Sequence, residues 1–134
     1  MKKLFVITIC AFLISACADK EQYEKAVLAE VKRDQEGDTK KYNIDTERMA
    51  KCVVDTSSRN MPGLFPLDPA RREAYRNYTK MLTLTQTPDP KKTLEELRKD
   101  FGSPKELSDA HNNFAQSMMM CYSALISETE PEGK

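Results

Sequence analysis

The chain has 134 residues, with 21 basic and 21 acidic side chains, a single histidine and no tryptophan. That length allows one domain and argues against two, because an independent hydrophobic core usually needs roughly 100 residues. A hydrophobic fraction of 40% and a charged fraction of 31% are typical of a folded helical domain, not of a disordered or multi-span membrane protein. The balanced charge offers no basic stripe, so we expect no nucleic-acid partner.

Residues 1–16 have the layout of a secretory signal peptide. Two lysines follow the first methionine, and residues 4–14 are almost entirely apolar. About 11 apolar residues are too few to span a hydrocarbon core that needs roughly 20, so we interpret the segment as a signal peptide and not as a transmembrane helix.

The sequence LISAC at residues 13–17 resembles the lipobox of bacterial lipoproteins, in which a branched apolar residue and two small residues precede a cysteine. The resemblance implies cleavage after Ala16 and attachment of fatty acyl chains such as palmitate to Cys17. Several acyl chains on one residue hold a protein at a membrane far better than a single chain. Because Ala18 and not Asp follows the cysteine, the resemblance also implies the outer membrane, facing the periplasm. The alternative is an ordinary secretory peptide.

Two cysteines remain for the folded protein, Cys52 and Cys121, since Cys10 leaves with the signal peptide and Cys17 takes the lipid. An even pair in an oxidising compartment predicts a disulfide. The bridge would close a loop of roughly 70 residues and add roughly 4 kcal/mol in the chain-entropy model. The alternatives are a redox-active pair or thiolate metal ligands, and no Cys-x-x-Cys spacing supports either.

Residues 17–44 are predicted to be a tether that is helical in part. Residues 20–35 are rich in helix formers and have a narrow apolar line at Tyr23, Val27 and Val31, at helical spacing. The stretch that follows is polar and has no period, which is typical of a linker.

Residues 45–127 are predicted to form the folded domain, a small all-α bundle of about four helices. The first helix begins at Asp45 or Thr46 and ends before Pro62 and Gly63. The other three begin with a capping residue followed by proline, at Asp68-Pro69, Asp89-Pro90 and Ser103-Pro104. Proline is harmless there because the amide that it lacks would be unpaired. Residues 128–134 are predicted to be a flexible tail.

Two segments of this domain are notably apolar. Leu64-Phe65-Pro66-Leu67 forms a loop between prolines. The last helix has the clearest amphipathic stripe, which consists of Leu107, Ala110, His111, Phe114, Met118, Cys121, Tyr122 and Leu125. This stripe predicts a core-facing helix that the disulfide joins to the first helix of the domain.

The sequence contains no familiar catalytic motif. Neither Gly-x-Ser-x-Gly, His-Glu-x-x-His nor a glycine-rich phosphate loop occurs. His111 lies within the apolar stripe, and we predict that it is a buried or half-buried structural residue. We therefore expect a protein that is not an enzyme and that requires no cofactor or metal.

A carrier of a small ligand or of copper is the alternative. Thioether and imidazole groups bind Cu(I), and His111, Met118 and Cys121 share a helix face. A ligand pocket would be lined by Tyr75, Tyr78, Phe114 and Met118. Methionine at this spacing is more often a core residue.

The layout of lipobox, linker, helices and one cysteine pair is similar to the helical pilotins of type II secretion. These are small lipoproteins with one disulfide that escort a pore subunit to the outer membrane. The resemblance implies a non-catalytic module that is held at the membrane by lipid on Cys17 and binds an envelope protein. An apolar groove would favour a protein partner, and a closed pocket near His111 would favour the carrier.

Overall fold

A computed structural model of the protein describes the backbone of residues 2–35 and 44–129, and the side chains of residues 18–34 and 44–128. This part of the chain contains five α-helices and no strand: α1 Lys2–Gln35, α2 Thr46–Ser58, α3 Pro69–Leu82, α4 Pro90–Asp100 and α5 Pro104–Thr129. A short 3₁₀ helix, Leu84–Gln86, follows α3. The predicted all-α bundle is confirmed. None of the helices, as far as they are described, is long and apolar enough to cross a membrane.

Some of the predicted segments fall outside this description. The centre of the linker, residues 36–43, lies outside the described residues, as do residues 130–134 of the predicted tail. The side chain of Cys17 is also outside them, although its backbone belongs to α1.

The helix starts of the domain are those that the capping residues predict. The side-chain oxygens of Asp45, Asp68, Asp89 and Ser103 each accept a hydrogen bond from a backbone amide of the following turn, at 2.7 to 3.1 Å. Caps of this kind typically contribute about 1 kcal/mol each. These starts could be predicted because a cap depends only on residues that are neighbours in sequence.

The last part of α1 belongs to the hydrophobic core. Tyr23, Val27 and Val31 are fully buried, and α1 packs along α2 and α3. Residues 18–34, within the segment predicted to be a tether, are helical and form a component of the bundle. A narrow apolar line is sufficient here because the helix contacts two others along that one line.

Four aromatic rings join α1 to α3 and to the end of α4. The ring of Tyr23 stacks on that of Tyr75 with centroids 5.6 Å apart, and meets Tyr78 edge-on at 5.8 Å. Phe101 packs against the other side of Tyr78 at 5.7 Å. The Tyr23 hydroxyl is hydrogen-bonded to Ser57 of α2 at 2.8 Å, so this cluster links α1, α2, α3 and the end of α4 and satisfies a buried phenol.

Burial of the phenols makes the protein sensitive to alkaline pH. Burial raises the pKa of Tyr23, despite the opposing hydrogen bond with Ser57, and also raises the pKa of Tyr78 above the ordinary value of 10.0. Both groups are therefore neutral in the fold at a pH where the unfolded chain ionises them. Their contribution to stability is complete below pH 10 and falls as the pH rises above it.

We expect urea unfolding at a series of pH values to show that the free energy of unfolding falls as the pH rises above 10, and we expect Tyr23→Phe to make this fall less steep. An equal steepness in the wild type and in Tyr23→Phe would contradict the assignment to Tyr23.

The predicted disulfide is present and joins the first and last helices of the domain. Cys52 of α2 and Cys121 of α5 are bonded, with their Cα atoms 5.9 Å apart. α5 packs against α2 along this line. The bridge therefore fixes α5, the last helix in the sequence, onto α2.

Candidate functional site

The prediction that His111 is a buried or half-buried residue is wrong, because its side chain is exposed. The buried face of α5 contains Ala110, Phe114, Ser117 and Cys121, which places position 111 at its margin. Ser117 belongs to this face because its hydroxyl donates a hydrogen bond to the carbonyl of Asn113, four residues earlier, at 2.7 Å. That bond satisfies the serine hydroxyl within the core. The periodicity of apolar residues in the sequence does not reveal such a bond.

The three residues considered for copper binding are not brought together as ligands. Cys121 is bonded to Cys52 and so offers no thiolate, while Met118 is half-buried and His111 is exposed. Over residues 18–34 and 44–128, no group of three or more His, Cys, Asp or Glu side chains is placed to hold a metal ion.

The residues considered for a ligand pocket are mostly core residues. Tyr75, Tyr78 and Phe114 are buried and Met118 is half-buried. Two open cavities lie on the surface of the bundle, and of these four residues only Tyr78 lines one of them.

The first cavity is a groove of about 380 Å³ between α1 and α2, which we call the α1–α2 groove. Its apolar lining comes from Leu28, Ala50 and Val54. Its charged lining consists of Lys20, Glu21, Glu24, Lys25, Glu47, Lys51 and Asp55. Ala50 and Val54 are buried beneath the charged side chains, so the groove has an apolar centre and charged edges.

The charged edges consist of ion pairs within single helices. Lys25 contacts Glu21 at 2.6 Å, and Lys51 contacts Asp55 at 3.0 Å. The hydrogen bond from Lys25 lowers the pKa of Glu21, and the hydrogen bond to Asp55 raises the pKa of Lys51. Both shifts favour the charged forms of Glu21 and Lys51. Exposed pairs of this kind contribute little to stability, so an incoming partner can exchange them at small cost.

The second cavity is a more polar hollow of about 550 Å³ beside α5. The amide of Asn113 organises it, donating to the Ser57 carbonyl at 3.0 Å and the Tyr78 hydroxyl at 2.9 Å. The same amide accepts a hydrogen bond from Asn60 at 2.9 Å. Asn113, which sequence analysis did not identify, thus links α2, α3 and α5.

The apolar loop, residues 64–67, projects three large side chains into solvent. Leu64 is 92% exposed, Phe65 56% and Leu67 48%. The sequence predicts an apolar loop here, but it does not show that the side chains of the loop are exposed. Isolated apolar residues are common on protein surfaces, whereas a contiguous group of this kind typically marks an interaction site.

A single guanidinium group supports the base of this loop. Arg71 donates hydrogen bonds to the carbonyls of Pro62 at 2.8 Å, Gly63 at 2.6 Å and Met61 at 3.1 Å, and also to that of Ser58. The planar fork of arginine allows these bonds to form together, which the ammonium of lysine could not reproduce. The backbone that leads into the loop is therefore fixed by this one side chain.

Alanine at Gly63 is expected to destabilise the protein more than alanine at Gly102. Both glycines have positive φ, +89° and +96°. A Cβ at Gly63 would lie 2.7 Å from the backbone nitrogen of Arg71, whereas one at Gly102 would meet only the mobile carboxylate of Glu106. We expect Gly63→Ala to lower the free energy of unfolding by roughly 2–3 kcal/mol and Gly102→Ala by roughly 1–2 kcal/mol. Urea denaturation measures both, and equal losses would contradict the close contact at Arg71.

Comparison with known proteins gives no relative: no family model, curated protein or solved structure matches this chain. Three features of the chain itself bear on function. These are the lipobox-like sequence at residues 13–17, the α1–α2 groove and the apolar loop.

Proposed function

We propose that the protein is a non-catalytic lipoprotein that is anchored through Cys17 and binds an envelope protein in the α1–α2 groove. The observation that carries this proposal is the composition of the groove, in which Leu28, Ala50 and Val54 lie between charged edges. Grooves with an apolar centre and a polar border are typical sites for a helix or peptide of a partner protein.

The most specific form of the proposal is a pilotin-like role in the outer membrane, facing the periplasm. The partner would be a segment of a pore subunit with apolar side chains on one side and charges of both signs beside them. A lipid anchor keeps such a module and a membrane-bound partner at high effective concentration. The carrier alternative has less support, because Cys121 is in the disulfide and the proposed pocket residues are mostly packed in the core.

The anchor is tested by fatty-acid labelling. Cys17→Ser is expected to abolish incorporation of labelled fatty acid and to abolish complementation of a deletion strain. Cys10→Ser is the matched control, because that residue is predicted to leave with the signal peptide, and it should be labelled normally. Equal labelling of Cys17→Ser and the wild type would overturn the proposed anchor.

The groove is tested by photocrosslinking in the intact envelope. A photoreactive amino acid replaces either Lys51 or Lys105, whose side chains are similarly exposed, at 77% and 82%. Each lysine also pairs with an aspartate four residues later, so the two sites differ chiefly in whether they border the groove. We expect a discrete adduct with one envelope protein from position 51 and none from position 105. Equal yields of that adduct would contradict the groove as the binding site.

A further inference from the structure

The structure leaves no spacer between the proposed lipid and the folded domain. Asp19, two residues after Cys17, is almost fully buried and pairs with Arg72 at 2.9 Å and Arg76 at 3.0 Å. The intervening backbone is helical, so Cys17 lies only about 3 Å further along the axis than Asp19. The domain that begins at Ala18 must therefore lie against the bilayer that holds the lipid.

The apolar loop lies at this same end of the bundle. Arg72, the partner of Asp19, directly follows Arg71, which holds the base of the loop. Moreover, Tyr23, one turn after Asp19, is hydrogen-bonded to Ser57, in the last turn of α2 before the loop connection. The start of the mature helix and the α2–α3 connection are therefore neighbours.

Part of the loop backbone already has hydrogen-bond partners within the protein. The amide of Leu64 donates to the carboxylate of Asp68 at 3.1 Å, and the carbonyl of Phe65 accepts from the amide of Asp68 at 3.0 Å. Pro66 has no amide hydrogen at all. Backbone groups with internal partners cost much less to remove from water than unpaired ones.

We propose that the apolar loop inserts Leu64, Phe65 and Leu67 into the lipid bilayer beside the acyl chains on Cys17. This inference rests on the proposed lipidation, and it assigns the domain a fixed orientation on the membrane. Charge contributes little, because the charged side chains at this end nearly balance: Arg59, Arg71, Arg72 and Arg76 against Asp19, Asp68 and Glu73. Insertion is driven by the apolar side chains and is therefore insensitive to salt.

The test uses tryptophan fluorescence, because the chain contains no tryptophan of its own. Phe65→Trp is purified as the full lipidated protein and reconstituted in vesicles of phosphatidylethanolamine and phosphatidylglycerol with or without brominated acyl chains. The matched control is Met119→Trp, at a residue of α5 that is 70% exposed. Asn113 of α5 contacts Asn60, which is near the loop. Position 119 lies about 9 Å further along α5 than Asn113.

We expect blue-shifted emission and strong quenching by brominated lipid at position 65, unchanged in high salt, and neither effect at position 119. Circular dichroism checks that both variants keep the fold. If the protein floats with the vesicles but position 65 is not quenched, loop insertion is overturned while the lipid anchor stands. If it does not float, both proposals fail. A blue shift that requires an added envelope protein and resists brominated lipid would assign the loop to a protein partner and overturn the inference.

Discussion

Replacement of both Cys52 and Cys121 by alanine is expected to lower the free energy of unfolding by roughly 4 kcal/mol. The bridge spans 69 positions of sequence, and without it the unfolded chain gains the entropy that the closed loop excludes. On a domain of this size the loss corresponds to a fall in melting temperature of roughly 20 °C. Urea and thermal denaturation of the wild type and of the double variant measure the difference.

Reduction of the wild type supplies the matching control, since it opens the bridge without changing a side chain. The reduced wild type and the double variant should unfold at nearly the same urea concentration. Thiol labelling of the denatured, unreduced protein should find both cysteines blocked. Equal stability of the oxidised wild type and the double variant would show that the bridge does not constrain the unfolded chain as the loop length implies.

Tyr23→Ala is expected to lower the free energy of unfolding by roughly 3–4 kcal/mol, as large-to-small substitutions of buried aromatic residues do. The side chain is fully buried and contacts the rings of Tyr75 and Tyr78. Its loss also removes a partner of the buried Ser57 hydroxyl. Urea denaturation of the mature protein gives the value directly.

Leu64→Ala is the control for this substitution, because it removes a large apolar side chain that is 92% exposed. We expect its effect on the free energy of unfolding to stay within about 0.5 kcal/mol. Tyr23→Phe should fall between the two, since it removes only the hydroxyl. If Tyr23→Ala were as harmless as Leu64→Ala, residues 18–34 would be a tether after all and the packing of α1 on α3 would be refuted.

The features that could be predicted from the sequence depend on local chemistry. The starts of α2 to α5 follow from caps whose donor and acceptor lie within three residues of each other. The disulfide followed from the number of cysteines and the expected compartment. Neither inference required knowledge of which helices meet.

The features that could not be predicted depend on which helices pack together. The sequence shows the apolar line of Tyr23, Val27 and Val31. It does not show whether that line packs against other helices of the same chain. Ser57 and Ser117 are buried with almost no exposure, because their hydroxyls donate to carbonyls one turn earlier. Polar residues in core faces shift the apparent position of the apolar stripe, which is why His111 was misplaced.

The position of Cys121 in the last helix has a consequence for the order in which the protein is completed. A chain leaves the ribosome N-terminus first, so α1, α2 and α3 emerge before α5. α1 packs against both α2 and α3, so these three helices can assemble while the remainder is still being delivered. Cys52, however, keeps a free thiol until nearly the whole chain has arrived. The Cys52–Cys121 bond therefore forms late, and in a chain that stops short of α5 the thiol of Cys52 lacks this partner and is open to intermolecular exchange.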